Sequence, residues 1–178
     1  LQRIIEKGPY VLLDETYWHF VGKSYASWVK KHDNLFIVQS FSKAYGLAGL
    51  RIGFVASDEK NIEELRKIAL PYSVSSLSAR AAEIALADKD FARMVVERTQ
   101  AEKKYLKRAL RHFCEVKDTH TNFLLAYFGE DSKDVFKALE QRGILVRDMS
   151  SVLPGYLRIS VGKRKDNRAL ISALKEIK

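Results

Sequence analysis

The sequence predicts an α/β chain with three parts: a partial large domain with a mainly parallel sheet, a long linking helix, and a small α+β C-terminal domain. Three patterns predict it. Short apolar runs ending in polar residues dominate the first half, a long amphipathic segment follows, and short strand and helix patterns alternate after it. The expected boundaries are residues 1–87 for the large-domain part, 88–115 for the linking helix and 116–178 for the small domain.

Three apolar runs predict the strands of the first part. Residues 10–13 are continuously apolar, as in strands buried on both faces of a parallel sheet, and they lead into Asp14 and Glu15. Residues 34–39 repeat this pattern, and residues 51–57 predict a third strand. Because so few helices accompany these strands, both faces cannot be covered, and we expect the N-terminal part of the sheet to lie outside this chain.

Capping residues predict where the helices begin. Asp58 should cap a helix over residues 60–69, and Ser75 should begin a helical stretch that breaks near residues 88–90 and continues to about residue 112. In the last third we predict strands at 122–128, 144–147 and 156–161, and helices at 132–142 and from a cap at Asp166 to residue 177.

The positive net charge of the chain brings nucleic acid into consideration as a binding partner. Its 178 residues include 31 Lys and Arg against 22 Asp and Glu, a net charge of +9. Many of the cations lie between residues 93 and 111 on one face of the amphipathic segment. We therefore interpret them as a solvated helix face and do not expect nucleic acid; a docking surface for a polyanion is the alternative.

Other features of the sequence bear on the compartment. No stretch reaches the roughly 18 apolar residues that would span a bilayer, and the first residues lack signal-peptide features. The single cysteine, Cys114, excludes an internal disulfide and agrees with a reducing compartment. We expect a cytoplasmic protein without a membrane anchor, and no metal site, because Cys114 has no His or Cys neighbours at ligand spacing.

The segment SFSKAYGLAGLRIGF, residues 40–54, carries the first candidate site residues. Lys43 lies just beyond the second predicted strand, in a turn rich in Ser, Gly and Ala. An amine at the C-terminal end of a parallel strand can be desolvated and made nucleophilic, while Ser40, Ser42 and Arg51 are donors suited to a phosphate. A surface loop with an ordinary lysine remains the alternative.

Asp14 and Tyr17 complete this set at the end of the first strand. A carboxylate there can pair with a protonated pyridine nitrogen, and a phenol can hydrogen-bond a ring oxygen. These are groups that a pyridoxal-phosphate (PLP) enzyme needs. A turn cap is the alternative for Asp14.

The motifs, taken in order, resemble the histidinol-phosphate aminotransferase branch of the fold-type-I PLP enzymes. The resemblance covers nearly the whole chain, and the lysine segment is its most specific part. The matching segments are DETY (14–17), SFSKAYGLAGLRIGF (40–54), PYSVSSLSARAA (71–82), THTNFLL (119–125), GILVR (143–147) and LRISVG (157–162).

This resemblance implies a PLP-dependent transferase fold and a role for each matched residue. Lys43 would carry PLP as a Schiff base and later move the proton at the substrate's Cα. Asp14 would pair with the pyridine nitrogen and Tyr17 with the ring hydroxyl. The cofactor's phosphate would be held by Ser40, Ser42 and Arg51.

The resemblance also implies a substrate site and a partial chain. Arg158 matches the arginine that grips the substrate carboxylate, and Arg147 matches one that can meet a substrate phosphate, with a solvent-facing arginine as its alternative. The family's glycine-rich phosphate turn and its ring-stacking aromatic residue lie upstream of the lysine. The chain therefore resembles a C-terminal half that would bind PLP weakly if at all, from a family of homodimers.

The activity implied is amino transfer between an amino acid or amino-alcohol phosphate and a 2-oxo acid, in histidine or other amino-acid biosynthesis. Two alternatives stay open: a threonine-phosphate decarboxylase-like enzyme, and the aminotransferase-like domain of a PLP-sensing transcription regulator. The choice of amino donor is not fixed by these residues.

Overall fold

The structure is a computed structural model that describes residues 1–177, apart from the side chain of Lys89. The chain forms two compact units, Leu1–Val95 and a second unit from Val96 onward. The boundary between these two units lies inside the helix Lys89–Leu110 and not at residue 87 or 115. The predicted division of the chain into three parts stays a prediction.

The predicted elements are present with shifted ends, and short elements join them. The helices are α1 (Gln2–Ile5), α2 (Trp18–Val21), α3 (Glu59–Ile68), α4 (Ser76–Ala87), α5 (Lys89–Leu110), α6 (Ser132–Gln141) and α7 (Arg164–Ile177). The strands are β1 (Val11–Asp14), β2 (Leu35–Ser40), β3 (Gly53–Ala56), β4 (Glu115–Lys117), β5 (Phe123–Tyr127), β6 (Arg147–Asp148) and β7 (Tyr156–Ser160). Short 3-10 helices occupy Ala26–Lys30, Ala48–Leu50 and Gly129–Asp131.

The first unit contains a three-stranded sheet in the order β1-β2-β3. Strands β1 and β2 are parallel, whereas β2 and β3 are antiparallel, with Ser40 opposite Gly53. The expectation of a mainly parallel sheet therefore needs correction at β3. Residues 41–52 turn back at the end of β2 with only a short 3-10 helix, and a parallel neighbour would need a longer crossover to the far end of the sheet.

One face of this sheet carries the core of the first unit. Leu35 and Ile37 are fully buried and pack with Ile5 of α1, whereas Leu12 is 68% exposed. The exposed face of β1 agrees with the expectation that this chain does not cover both faces of the sheet. Side chains alternate along a strand, and among the described residues the packing against β1 and β2 lies on the Leu35 side.

The predicted helix starts in the first unit are confirmed by their capping bonds. Asp58 Oδ1 accepts from the Lys60 N–H at 3.0 Å, and Ser75 Oγ accepts from the Ser78 N–H at 3.1 Å. Each bond satisfies a backbone donor that the first turn of a helix leaves unpaired. The predicted break near residues 88–90 is also present, since α4 ends at Ala87 and α5 begins at Lys89.

The second unit is an antiparallel sheet in the order β4-β5-β7-β6, covered by helices. Its core has fully buried leucines from α5, β5, α6, β7 and α7: Leu106, Leu110, Leu124, Leu139, Leu157 and Leu174. This alternation of strands and packed helices agrees with the predicted small α+β domain.

Two boundaries in the second unit differ from the predictions. The strand expected at residues 144–147 pairs only over Arg147–Asp148, because the Ile144 N–H still donates to Leu139 O at the end of α6. Helix α7 begins at Arg164, so Asp166 lies in its first turn rather than at its cap. There its carboxylate accepts from the Lys163 N–H at 3.3 Å.

Helix α5 carries the basic run, and several of its cations have partners in their own unit. Lys103 Nζ donates to Thr119 Oγ1 at 2.8 Å and to Thr121 O at 2.7 Å, and Lys107 pairs with Asp118 at 2.7 Å. These bonds tie α5 to the segment before β5. No helix within residues 1–177 combines the length and apolar character needed to cross a membrane.

Gly53 is required where β2 and β3 meet, and alanine there should destabilise the first unit. An added Cβ would lie 2.7 Å from Gln39 O, a backbone atom that can move only with its strand. We expect Gly53→Ala to lower the free energy of unfolding by about 1–3 kcal/mol. The measurement is denaturant unfolding followed by fluorescence of Trp18 and Trp28, which both lie in this unit.

Gly49→Ala is the matched control, because no atom lies within 4 Å of a Cβ built there. This substitution should leave the midpoint of unfolding nearly unchanged. Equal effects of the two substitutions would contradict the close approach at Gly53.

Candidate active site

The ends of β1 and β2 place polar residues on the same side of the sheet. Asp14 lies opposite Val38 in the parallel register, and Ser40 follows Val38 by two residues. Because side chains repeat with a period of two along a strand, Asp14, Val38 and Ser40 share one face. The first requirement of the predicted site, a common face for the two strand ends, is therefore met by the backbone.

Asp14 closes a turn with one oxygen of its carboxylate. Its Oδ1 accepts from the Thr16 N–H at 2.8 Å and from the Thr16 hydroxyl at 2.5 Å, and the side chain is exposed. Within residues 1–177, Oδ2 takes part in no hydrogen bond. The residue thus has the turn role considered as its alternative and also presents an acceptor oxygen to a ligand.

Lys43 lies beside the aromatic ring that the predicted site requires. Its Nζ is 5.3 Å from the centroid of the Tyr17 ring, a distance at which an ammonium is attracted to the ring face. The flanking side chains of Phe41 and Ala44 are buried and anchor the turn. Among the described residues, no carboxylate lies within ion-pair distance of this amine.

The candidate phosphate donors are only partly brought together. Ser40 and Ser42 lie on one turn, where the Ser42 N–H donates to Ser40 Oγ at 3.1 Å. Arg51 is exposed, and its guanidinium donates to Ala48 O at 3.1 Å, within its own turn. Its backbone has φ +50°, a strained value for a residue with a side chain and of the kind found at functional sites.

A depression of about 310 Å³ lies at the end of β1. Asp14, Tyr17, Trp18 and Tyr25 are among the residues that line it, whereas Lys43 is not. Two of the predicted cofactor residues therefore share one concavity, and Lys43 adjoins it through the Tyr17 ring. Within the described residues, no group of three His, Cys, Asp or Glu side chains forms a metal site.

Glu15, the buried neighbour of Asp14, was not among the predicted site residues. Its carboxylate accepts from the Ser24 hydroxyl, the Tyr25 N–H and the Gln39 amide, at 2.6, 2.6 and 2.9 Å. An acid directly after a buried strand was the available signal. Its partners could not be predicted, because they lie up to 24 residues away along the chain.

Ser78 is a second residue that was missed. It is buried, and its hydroxyl donates to Leu50 O at 2.9 Å. This bond ties the start of α4 to the residue before Arg51. The PYSVSSLSARAA segment therefore supports the turn that carries Arg51, a contact that local sequence patterns do not reveal.

His19 lies near the lysine turn and gives the first unit a pH dependence. Its ring stacks on Trp18 at 3.8 Å and meets Tyr45 edge-on at 5.0 Å. Burial lowers the pKa of His19 below its ordinary value of 6.5, because the charged ring is desolvated. As the pH falls through 6.5, the unfolded chain is protonated first, so the free energy of unfolding should decrease until the lowered pKa is passed.

His19→Gln should remove this part of the pH dependence. Denaturant unfolding followed by tryptophan fluorescence, from neutral pH to about pH 5, measures it. An unchanged slope in the variant would show that His19 titrates alike in both states.

The second unit places the two candidate substrate arginines side by side. Arg147 on β6 lies directly opposite Arg158 on β7, and the Arg158 guanidinium is 5.2 Å from the centroid of the Phe123 ring. Like charges directly opposite each other on an antiparallel pair cost stability. An anion bound between them would remove that cost.

Lys43 follows a parallel strand and lies beside the Tyr17 ring, and Asp14 ends the neighbouring strand. These are groups that lysine-dependent cofactor enzymes with an α/β sheet use. The chain belongs to the aminotransferase class I and II family, whose model matches residues 1–174.

Similar proteins carry more specific names. The chain is 37% identical over 175 residues to histidinol-phosphate aminotransferase of Pyrococcus furiosus, a match that covers 98% of this chain and 49% of that protein. It resembles the crystal structure of histidinol-phosphate aminotransferase from Sinorhizobium meliloti in complex with pyridoxal-5'-phosphate, with TM-score 0.88 and 26% identity over 99% of this chain and 52% of the other. L-threonine-O-3-phosphate decarboxylase from Porphyromonas gingivalis gives TM-score 0.86 and 27% identity, over 99% of this chain and 57% of the other.

The chain spans about half the length of the curated relatives that it matches. The expectation of a partial domain is therefore confirmed. Coverage of one half does not by itself support the assignment to the C-terminal half, which stays a prediction.

Proposed function

We propose that this chain forms part of a PLP-dependent aminotransferase of the histidinol-phosphate type, which moves an amino group between an amino-alcohol phosphate or amino acid and a 2-oxo acid. The observation that carries the proposal is the position of the Lys43 amine beside the Tyr17 ring. Tyr17 and Lys43 follow β1 and β2, and the ends of these strands place Asp14 and Ser40 on one face of the sheet. The similarity to histidinol-phosphate aminotransferases supports it further.

The residues present fit PLP in three respects. Lys43 is half-buried and can bond the aldehyde of the cofactor, and Asp14 has a carboxylate oxygen without a hydrogen-bond partner among residues 1–177 for a pyridinium N–H. Ser40 and Ser42 offer hydroxyls to its phosphate, and Arg51 offers a guanidinium from the following turn. Bound PLP supplies an electron sink for the bond broken at the substrate's Cα.

The protein's own groups then carry out binding and proton transfer. With the cofactor bound, the free Lys43 amine would serve as the general base that takes a proton from Cα. The Tyr17 hydroxyl would donate a hydrogen bond to the ring oxygen of the cofactor. In the second unit, Arg158 would bind an anion such as a carboxylate, and Arg147, directly opposite it, a second anion such as a phosphate.

One specific observation favours a second candidate function. The similarity to L-threonine-O-3-phosphate decarboxylase has nearly the same TM-score as that to the aminotransferase. Both names imply a phosphate-bearing substrate, which agrees with the paired arginines. The two reactions differ in which bond at Cα is broken.

We also propose a homodimer and a cytosolic location. The chain exposes a run of apolar side chains around α4, where Ile68, Leu70 and Leu77 are each at least 70% exposed, and a second subunit can cover them. The single cysteine fits a reducing compartment.

The experiment adds PLP to the full-length protein that contains this chain and follows the visible absorbance of the bound cofactor. Histidinol phosphate with 2-oxoglutarate should bleach the band and yield glutamate, while threonine O-phosphate tests for release of carbon dioxide. Glutamate formation supports amino transfer, and carbon dioxide supports the second candidate. Failure of the full-length protein to bind PLP in equilibrium dialysis would reject the proposed cofactor site.

A further inference from the structure

Glu15 is a buried carboxylate at the centre of the first unit, and it is 6% exposed. Its Oε2 accepts from the Ser24 hydroxyl at 2.6 Å and from Gln39 Nε2 at 2.9 Å, while its Oε1 accepts from the Tyr25 N–H at 2.6 Å. Burying a carboxylate is costly unless hydrogen bonds replace its hydration. These three bonds supply that replacement.

The partners of Glu15 come from two separate segments. Ser24 and Tyr25 lie between α2 and the following 3-10 helix, and Gln39 lies on β2, one residue before its end. The backbone adds to the junction, since the Glu15 N–H donates to Val38 O at 2.8 Å. Glu15 therefore joins the end of β1, the end of β2 and the loop between them.

Because side chains alternate along a strand, the junction also affects the side of the sheet to which the neighbouring side chains point. Glu15 and Gln39 point to the buried side of the sheet, so their neighbours Asp14 and Ser40 point to the other side. The hydrogen bond between Glu15 and Gln39 holds both strand ends in this orientation. An apolar pair could fill the same space, but it would not fix the rotation of either strand end.

We propose that Glu15 is a positioning residue, which holds the strand end that carries Asp14 against the strand end that leads to Lys43. The inference rests on the proposed function, because it assigns these two strand ends to the cofactor site. We assign Glu15 no direct contact with the cofactor, because both of its carboxylate oxygens are taken by donors of the protein.

Glu15→Gln tests the proposal, because the charge-assisted bond from Gln39 Nε2 to the carboxylate is lost even if the Gln39 amide turns over to accept from the new amide. Without the bond to Gln39, the lysine turn should loosen. The rate at which an amine-modifying reagent labels Lys43, read by mass spectrometry, should rise about fivefold, the equivalent of one ordinary hydrogen bond. This measurement needs no bound cofactor.

The exchanged pair Glu15→Gln with Gln39→Glu provides the rescue. The amide at position 15 donates to the carboxylate at position 39 and accepts from the Tyr25 N–H, so the network is restored with the roles reversed. The labelling rate of Lys43 should return close to that of the parent chain. If Glu15→Gln acted only by removing the buried charge at position 15, a carboxylate at position 39 would not restore the labelling rate of Lys43.

Glu63→Gln is the matched control, since Glu63 is an exposed glutamate of the same unit. It should leave the labelling rate unchanged. The proposal is overturned if Glu15→Gln leaves the Lys43 rate as in the parent chain, or if the exchanged pair fails to restore it. Should Glu15→Gln not fold, Gln39→Leu removes the same hydrogen bond and keeps the other two bonds to Glu15, and an unchanged Lys43 rate in that variant overturns the proposal.

PLP binding separates this inference from the proposed function. If PLP binds the parent chain and Glu15→Gln equally well and the Lys43 rates agree, the positioning role is wrong and the cofactor site stands. If the Lys43 rate responds as expected but the full-length protein binds no PLP, the junction holds the lysine turn and the proposed cofactor site fails.

Discussion

Lys43→Ala, made in the full-length protein, should abolish the visible absorbance that PLP acquires on binding, together with any amino transfer. Lys43 is the amine that we propose to bond the cofactor's aldehyde, and it lies 5.3 Å from the Tyr17 ring centroid. After borohydride treatment, mass spectrometry should find the cofactor mass on the peptide containing Lys43 in the parent chain and on no peptide of the variant. Because the side chain is only half-buried, the variant should remain folded.

Two control variants isolate the role of the amine. Lys43→Arg keeps the positive charge beside the Tyr17 ring but cannot form the covalent bond, so it should also lose the absorbance. Lys60→Ala removes an exposed lysine at the start of α3 and should retain it. A band that persists in Lys43→Ala would refute the assignment of the cofactor lysine.

Leu157→Ala should have the largest effect on the stability of the second unit. Leu157 is fully buried on β7, opposite Ala126 of β5, where the core has no solvent access. Its truncation removes apolar contacts and leaves a cavity, at a cost of about 2–5 kcal/mol. Both tryptophans lie in the first unit, so hydrogen exchange of the β5 and β7 amides is the appropriate measurement.

Leu145→Ala is the control for this substitution, because Leu145 belongs to the same unit but is 83% exposed. It should change the stability by no more than about 0.5 kcal/mol. Similar loss of exchange protection in both variants would mean that the β5–β7 core does not limit the opening of this unit.

The elements with strong local signals could be predicted from the sequence. Asp58 and Ser75 mark helix starts because their side chains bond the next turn of their own helix. Strands β1 and β2 could also be predicted locally, because each is a run of mostly apolar residues. Family motifs placed Lys43, Asp14 and Tyr17 in one proposed site, and the structure puts the Lys43 amine beside the Tyr17 ring.

Local sequence patterns left open the features that distant residues decide. The direction of β3 depends on how residues 41–52 return to the sheet, and a strand pattern carries no direction. The exposure of Leu12 depends on what packs against its face, which an apolar run does not specify. The Arg51 side chain bonds its own turn, although the motif assigns it to a phosphate.

The sequence by itself therefore determined the family motifs, the α/β class and the candidate lysine, since these depend on residue types at short spacing. Only the tertiary structure decided the antiparallel return of β3, the opposed pair Arg147 and Arg158, and the burial of Glu15 among Ser24 and Gln39. The physical reason is that strand pairing and buried hydrogen bonds join groups far apart along the chain, and their geometry exists only after folding.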